Sequence, residues 1–499
     1  MIKSLLQEMF ILKERGYYKQ AIEILYKLLE MSETQEASEE IFYELAEVYF
    51  YSGNVDRANH YVEKLLETNP THIDAIKLQI KLLGNKSGKR IEVAKKLVEL
   101  TKKSEDVKLY LALLNKAGCY DETISYENSE NASFCYQEIA DAYFAKGDYH
   151  KAKEILESQP SLTELAEFLL ARICYQINDE ESLKILETKL SNSKNPEVIK
   201  FIIRLEYDLM NYNKVIELSE RIMVTNSAEM LYLIGQAYLF KNMTINAKKY
   251  FNILCDLIPH PKYFFALALA YIQAGQTSQA IEMVKNNTSY LKLATLILNE
   301  NSISKKVLAK EFLSIMDILS SDELALFKVI EISFKHNLLT IVENLLRLTS
   351  SSQNLRYRFY SIKYKIRNKN FEEAGTLVQH YRNNDSFVML YAELLDLQDE
   401  FKQLETLLEQ RESYEKDEFE QCCYYYARIF ESKGEYERAI DIAQKGLDFV
   451  DNYAEMYYTL LYGLYKKIGD LRTAIECLEK ASKYNPELRP KLIREAAEL

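Results

Sequence analysis

Small or apolar residues recur along this chain with a period close to 32 residues, and this repeat restricts the fold more than any other feature. The positions are Ala21, Ala58, Ala94, Thr123, Ala152, Leu183, Val215, Ala247, Ala280, Ala309, Ile341, Ala374, Leu404, Ala439 and Ala474. Successive spacings run from 29 to 37 residues, and fourteen intervals cover 453 of the 499 residues. A unit of this length holds two helices and a turn but cannot bury its own apolar face, so copies must stack on one another. The series predicts an all-α chain, a continuous α-solenoid superhelix of about fifteen helical hairpins over 1–499, with no room for a separate domain. Composition agrees: 13 Gly and 7 Pro are too few for the turns of a β architecture.

Other positions keep register with these anchors. A small residue lies twelve before (Ala46, Ala140, Ala171, Gly235, Ala268, Ala392, Ala427), where two helices must approach closely. An aromatic lies nine before (Tyr49, Tyr143, Tyr238, Tyr271, Phe430, Tyr465), and a glycine five before (Gly16, Gly53, Gly118, Gly147, Gly275, Gly434, Gly469), as a left-handed helix cap requires. Pro70, Pro259 and Pro486 lie twelve after, where proline ends the second helix.

With these features the chain resembles the tetratricopeptide repeat (TPR) family. It departs from the family in having no Trp, with Leu5, Phe42, Leu78, Tyr136, Phe264 and Tyr458 in place of the frequent first-helix tryptophan. Repeats are clear over 1–72, 133–160, 228–290 and 418–487 and degenerate over 73–132 and 291–350, and 487–499 reads as a polar capping helix, which favours a monomer. The polar stretches Ser125 to Ser133, Ser191 to Pro196 and Thr349 to Asn354 read as inter-repeat loops or flexion points.

The resemblance implies that the first helix of each hairpin lines a concave groove. Counting back from the anchors puts Gln137, Asp141, Phe144, Arg172, Tyr175, Lys200, Arg204, Tyr207, Tyr232, Gln236 and Phe240 there, with Lys363, Arg367 and Arg428 further on. Arg172, Arg204 and Gln236 share one registered place in consecutive hairpins and are expected to stack as a ladder of donors. Arginine binds carboxylates bidentately and aromatics give rigid contact area, so such a groove suits a peptide with acidic groups. The family's chaperone-tail clamp of Lys, Asn and Arg is not found.

Other chemistry has little support. A formal charge of −12, from 63 Lys plus Arg against 75 Asp plus Glu, argues against nucleic acid as main partner. The stretch Arg356 to Lys369, with six basic residues and four aromatics, is the one segment compatible with RNA. Gly84 to Arg90 (GNKSGKR) lacks the spacing and the Ser or Thr of a phosphate loop. Cys255 with His260, and Cys422 with Cys423, lack the further ligands of a metal site, and the six histidines are scattered over different hairpins. No cofactor is expected. The first residues carry Gln7 and Glu8 within their apolar stretch and read as a structural helix rather than a signal. Tyr263 to Ile272, the most apolar segment, is about half the ~18 residues of a membrane span. Seven cysteines within helical patterns point to a reducing, cytoplasmic setting.

The sequence therefore reads as a non-catalytic scaffold or adaptor for a protein or peptide partner. A peptide-sensing regulator is the alternative, disfavoured because the repeats begin at once, and an RNA-associated factor is a minor one.

Overall fold

The computed structural model describes residues 2–84, 87–222, 227–348, 355–381, 385–409, 416–448, 454–485 and 488–497. Among the described residues there are 32 α-helices and no strand. Thirty of the helices pair in sequence as fifteen hairpins, from Ile2–Glu14 with Tyr18–Glu30 to Ala454–Lys467 with Leu471–Tyr484. The other two are the short Met316–Leu319 and the final Arg489–Ala497. The chain divides into two compact units, Met1–Lys194 and Asn195–Leu499, with the boundary inside the Ser191 to Pro196 segment.

The anchors explain how each hairpin closes. Twelve of the fifteen are the fourth residue of their second helix, as Ala21 is in Tyr18–Glu30 and Ala474 in Leu471–Tyr484, and these are buried. The exceptions fall in repeats with weak signatures. In Lys305–Leu313 the fourth residue is Leu308, fully buried, while Ala309 is half-buried; in Leu339–Leu348 it is Val342, one residue beyond Ile341. The helix Ser87–Thr101 begins a turn early, which makes Ala94 its eighth residue. Opposite the anchors, the small-residue position has a steric cause at Gly235: a Cβ there would lie 2.6 Å from the ring of Phe251.

Five residues before the anchor the backbone turns left-handed, with φ of 77° at Gly16 and 84° at Gly469. The same conformation is held by Asn178, Met210, Asn242, Asn337, Lys369 and Asp399, where sequence offers no glycine. Asn and Asp tolerate it through local hydrogen bonding, whereas Met and Lys carry the full steric cost. One position later a short polar side chain caps the second helix: Asn54, Asp148, Asp179 and Asp470 each accept a hydrogen bond from the backbone N–H three residues on.

Ser125 to Ser133 is structured. The second helix of its hairpin stops at Ile124 and passes into a 3₁₀ turn, Ser125–Asn128. Glu127 in that turn accepts a hydrogen bond from Tyr143 Oη at 2.6 Å and pairs with Lys151 at 3.2 Å. Thr349 to Asn354, Pro486 and part of Gly84 to Arg90 lie outside the described residues. Within the last of these, Arg90 Nη1 donates to the carbonyl of Gly84 at 3.2 Å, so the side chain closes its own turn. Arg489–Ala497 rests on the last hairpin through Glu495, which accepts from Tyr462 Oη at 2.7 Å and pairs with Lys466 at 2.8 Å. Among the described residues no helix is long and apolar enough to cross a membrane.

The C-terminal unit folds back on itself. Leu209 and Met210, at the turn of its first hairpin, pack against a core made by Leu355, Ile362, Ile366, Phe387 and Leu390. Contact across so many hairpins fills part of that unit's interior with its own side chains.

Candidate functional site

In the Met1–Lys194 unit the first helices Ser104–Ala117, Tyr136–Ala145 and Glu164–Ile177 lie side by side and line a cleft of about 340 Å³. Gln137, Asp141 and Arg172 lie in its wall with Phe168 and the 52% exposed Leu165. The Arg172 guanidinium stacks 4.6 Å from the Phe144 ring centre and 5.7 Å from that of Phe168. It makes no ion pair or hydrogen bond with any described residue, and neither does the Asp141 carboxylate. Burial raises the pKa of Asp141, with the Arg172 charge acting in the opposite direction. Gln137 Oε1 accepts from Thr163 Oγ1 at 3.3 Å. Tyr175 is half-buried on the same helix as Arg172.

A half-buried arginine placed over two phenylalanine rings retains its donors, and the neighbouring half-buried carboxylate retains its acceptors. Polar groups partly removed from water and left unmatched are costly. An extended chain, which offers both N–H and C=O groups, would match both.

The remaining sequence-derived groove residues lie in the Asn195–Leu499 unit, and most are engaged there. Lys200 pairs with Glu197 at 2.7 Å. Arg204 is taken by Glu229 and by Asp208 at 3.6 Å. Gln236, only 4% exposed, accepts a hydrogen bond from the buried Tyr207 hydroxyl at 2.7 Å. Tyr232 stacks edge-on against Tyr263 at 5.3 Å. The expected ladder is therefore uneven in its chemistry: Arg204 is exposed and ion-paired, whereas Gln236 is a buried packing residue.

Phe240 has the most consequential contact. The guanidinium of Arg356, 5% exposed, lies 3.6 Å from its ring centre and within 5.5 Å of the Tyr212 and Phe327 rings. Arg356 also donates to Tyr212 Oη at 2.7 Å across 144 residues of sequence. Beside it, Tyr360 Oη donates to Glu331 at 2.7 Å. Burial would raise the Glu331 pKa, but Lys328, Arg356 and this hydrogen bond outweigh it and hold the carboxyl below its ordinary range.

Three other basic residues of the Arg356 to Lys369 stretch are also engaged within the chain. Arg358 is bonded to Tyr381, Lys365 pairs with Glu373 at 2.6 Å, and Arg367 with Glu393 at 2.8 Å. These intramolecular contacts leave little of the stretch to meet phosphates. Among the described residues no group of three or more His, Cys, Asp or Glu is placed to hold a metal, and all seven cysteines are free thiols.

Sequence counting missed Arg356 and the Asx caps. The caps have a signal, a short polar residue four before the anchor, whereas Arg356 becomes visible only once distant hairpins meet.

A family model described as tetratricopeptide repeat matches residues 135–158, 228–260 and 454–488. No curated protein matches in sequence. Among solved structures 249 chains match, so the architecture is shared too widely to point to one partner. One is a chain in the crystal structure of the APC/C hetero-tetramer Cut9-Hcn1, with a TM-score of 0.51 and 13% identity over 92% of this chain and 97% of that one. At that identity the likeness carries the fold alone.

Proposed function

The chain is a tetratricopeptide repeat protein, and on that premise we propose that it is a non-catalytic scaffold or adaptor whose N-terminal unit captures a peptide or partner helix. The contact is the cleft between Ser104–Ala117, Tyr136–Ala145 and Glu164–Ile177. One observation carries this reading: Arg172 and Asp141 share a single cleft, feel each other's charge, and make no ion pair or side-chain hydrogen bond with any described residue. Arg172 meets a carboxylate or carbonyl of the captured segment, Asp141 meets an N–H or a cation, and Leu165 and Phe168 give apolar contact. Repeat proteins with tetratricopeptide folds usually bind other proteins, and the Cut9-Hcn1 hetero-tetramer is one assembly containing such a chain. The seven free thiols support a cytoplasmic place of action.

An affinity capture from native extract tests the reading with wild type, Arg172→Glu and Asp141→Lys, each first shown to be folded by circular dichroism. Wild type is expected to retain a partner that both variants lose. Equal recovery by all three would remove the cleft from consideration.

A further inference from the structure

The interior of the Asn195–Leu499 unit holds a second cavity, of about 340 Å³. Its walls come from Leu355–Arg367, Asp385–Leu397, Lys416–Ser432 and Ala454–Lys467, with Met210 of a much earlier hairpin also in the lining. Met210, Met389 and Met456 give this mixed polar and apolar lining an adaptable apolar part, since the unbranched thioether side chain fills irregular space.

The charges in this wall are unequally matched. Glu393 is held by Arg367 at 2.8 Å and Asp396 by Arg428 at 2.9 Å. Lys363, half-buried in the same wall, has no carboxylate of the described residues in ion-pair range, Glu393 and Glu331 attracting it only from farther off, and its ammonium lies 5.4 Å from the Phe334 ring centre. An ammonium withdrawn from water with no carboxylate in contact leaves room for an anion at hydrogen-bond distance.

We infer that this cavity binds a small molecule with an apolar body and one carboxylate, the carboxylate on Lys363 and the body among the three methionines. Glu393 and Asp396 nearby repel a second negative charge, which disfavours a phosphate dianion. The volume falls near the lower end of ligand pockets, roughly 300–1,000 Å³. The inference is independent of peptide capture by the N-terminal unit.

Octanoate serves as probe, with 1-octanol and octylamine as uncharged and cationic counterparts, titrated calorimetrically into the full chain. Wild type is expected to bind octanoate one to one and more tightly than either counterpart. Lys363→Met should weaken octanoate about tenfold or more, the loss of a charge-assisted hydrogen bond, while leaving octanol unchanged. Met389→Trp, which fills the cavity, should abolish binding of both. The inference fails if octanoate does not bind folded wild type, if octylamine or octanol binds as tightly, or if Lys363→Met binds octanoate equally well. Should Lys363→Met not fold, octanoate against octylamine on wild type decides the matter alone.

Discussion

Two arginines, each stacked on aromatic rings, have opposite fates in this molecule. Arg172 lies between Phe144 and Phe168, half-exposed in an open cleft, with no ionic partner. Arg356 lies among Phe240, Phe327 and Tyr212, 5% exposed, and donates to a tyrosine. The ring chemistry is nearly the same. What differs is that Arg356, on a hairpin far along the chain, returns to Tyr212 and Phe240, so a first-helix aromatic such as Phe240 becomes part of a structural lock. Within one unit, a first-helix side chain is thus available to a ligand only where other hairpins of that unit do not cover it.

The largest effect expected from breaking this comparison is at the lock. Arg356→Ala removes a buried cation from three rings and leaves a cavity, at a cost of about 3–5 kcal/mol. Urea unfolding followed by hydrogen exchange should localise the loss to the Asn195–Leu499 unit. Arg172→Ala, at a half-exposed site, should cost under about 1 kcal/mol. Similar costs at both sites would mean that the two arginines are equivalent and the contrast is spurious.

Next in size is binding. Arg172→Glu should weaken capture of the partner more than about tenfold, since it replaces attraction by repulsion at one desolvated contact. Arg356→Met, if folded, should leave capture unchanged.

A smaller effect separates the cleft by pH. Burial raises the Asp141 pKa in the folded state, with Arg172 partly offsetting it. A carboxyl that holds its proton more tightly when folded makes stability fall as pH rises from the unfolded value toward the folded one. Asp141→Asn should therefore stabilise the protein above the folded pKa, and the gain should vanish as pH drops below the unfolded value of about 3.9. Thermal melts from pH 3 to pH 7 show this directly; a pH-independent difference would remove desolvation as its cause.

The hairpin period, the glycine caps and the close approach at Gly235 were legible in sequence, because each is a local demand that only certain residues meet. The anchor register slipped by one at Ala309 and Ile341, where the neighbouring Leu308 and Val342 are apolar too; burial singles out Leu308, whereas Ile341 and Val342 are both buried and only the start of the helix tells them apart. The registered first-helix positions were legible as positions on a helix but not as roles. Counting places Arg172 and Gln236 alike, yet Gln236 is buried against Tyr207 while Arg172 opens into a cleft. That distinction depends on which other hairpins come near, and a repeat pattern read one unit at a time does not contain it.

The smallest effect concerns the hairpin that carries the lock. Its turn residue Lys369 is exposed and left-handed at φ 61°, where eight other hairpin turns place the conformation on a Gly, from Gly16 to Gly469. Lys369→Gly relieves the clash of Cβ with the carbonyl while increasing the freedom of the unfolded chain, for a net gain of up to about 1 kcal/mol. Thirteen residues along a helical hairpin put it roughly 18 Å from Arg356, too far to share a contact. Lys369→Gly and Arg356→Ala should therefore add within about 0.5 kcal/mol in a double-mutant cycle. Clear non-additivity would mean that the turn and the lock act as one element, so that the fold-back of the C-terminal unit depends on the whole hairpin rather than on one guanidinium among three rings.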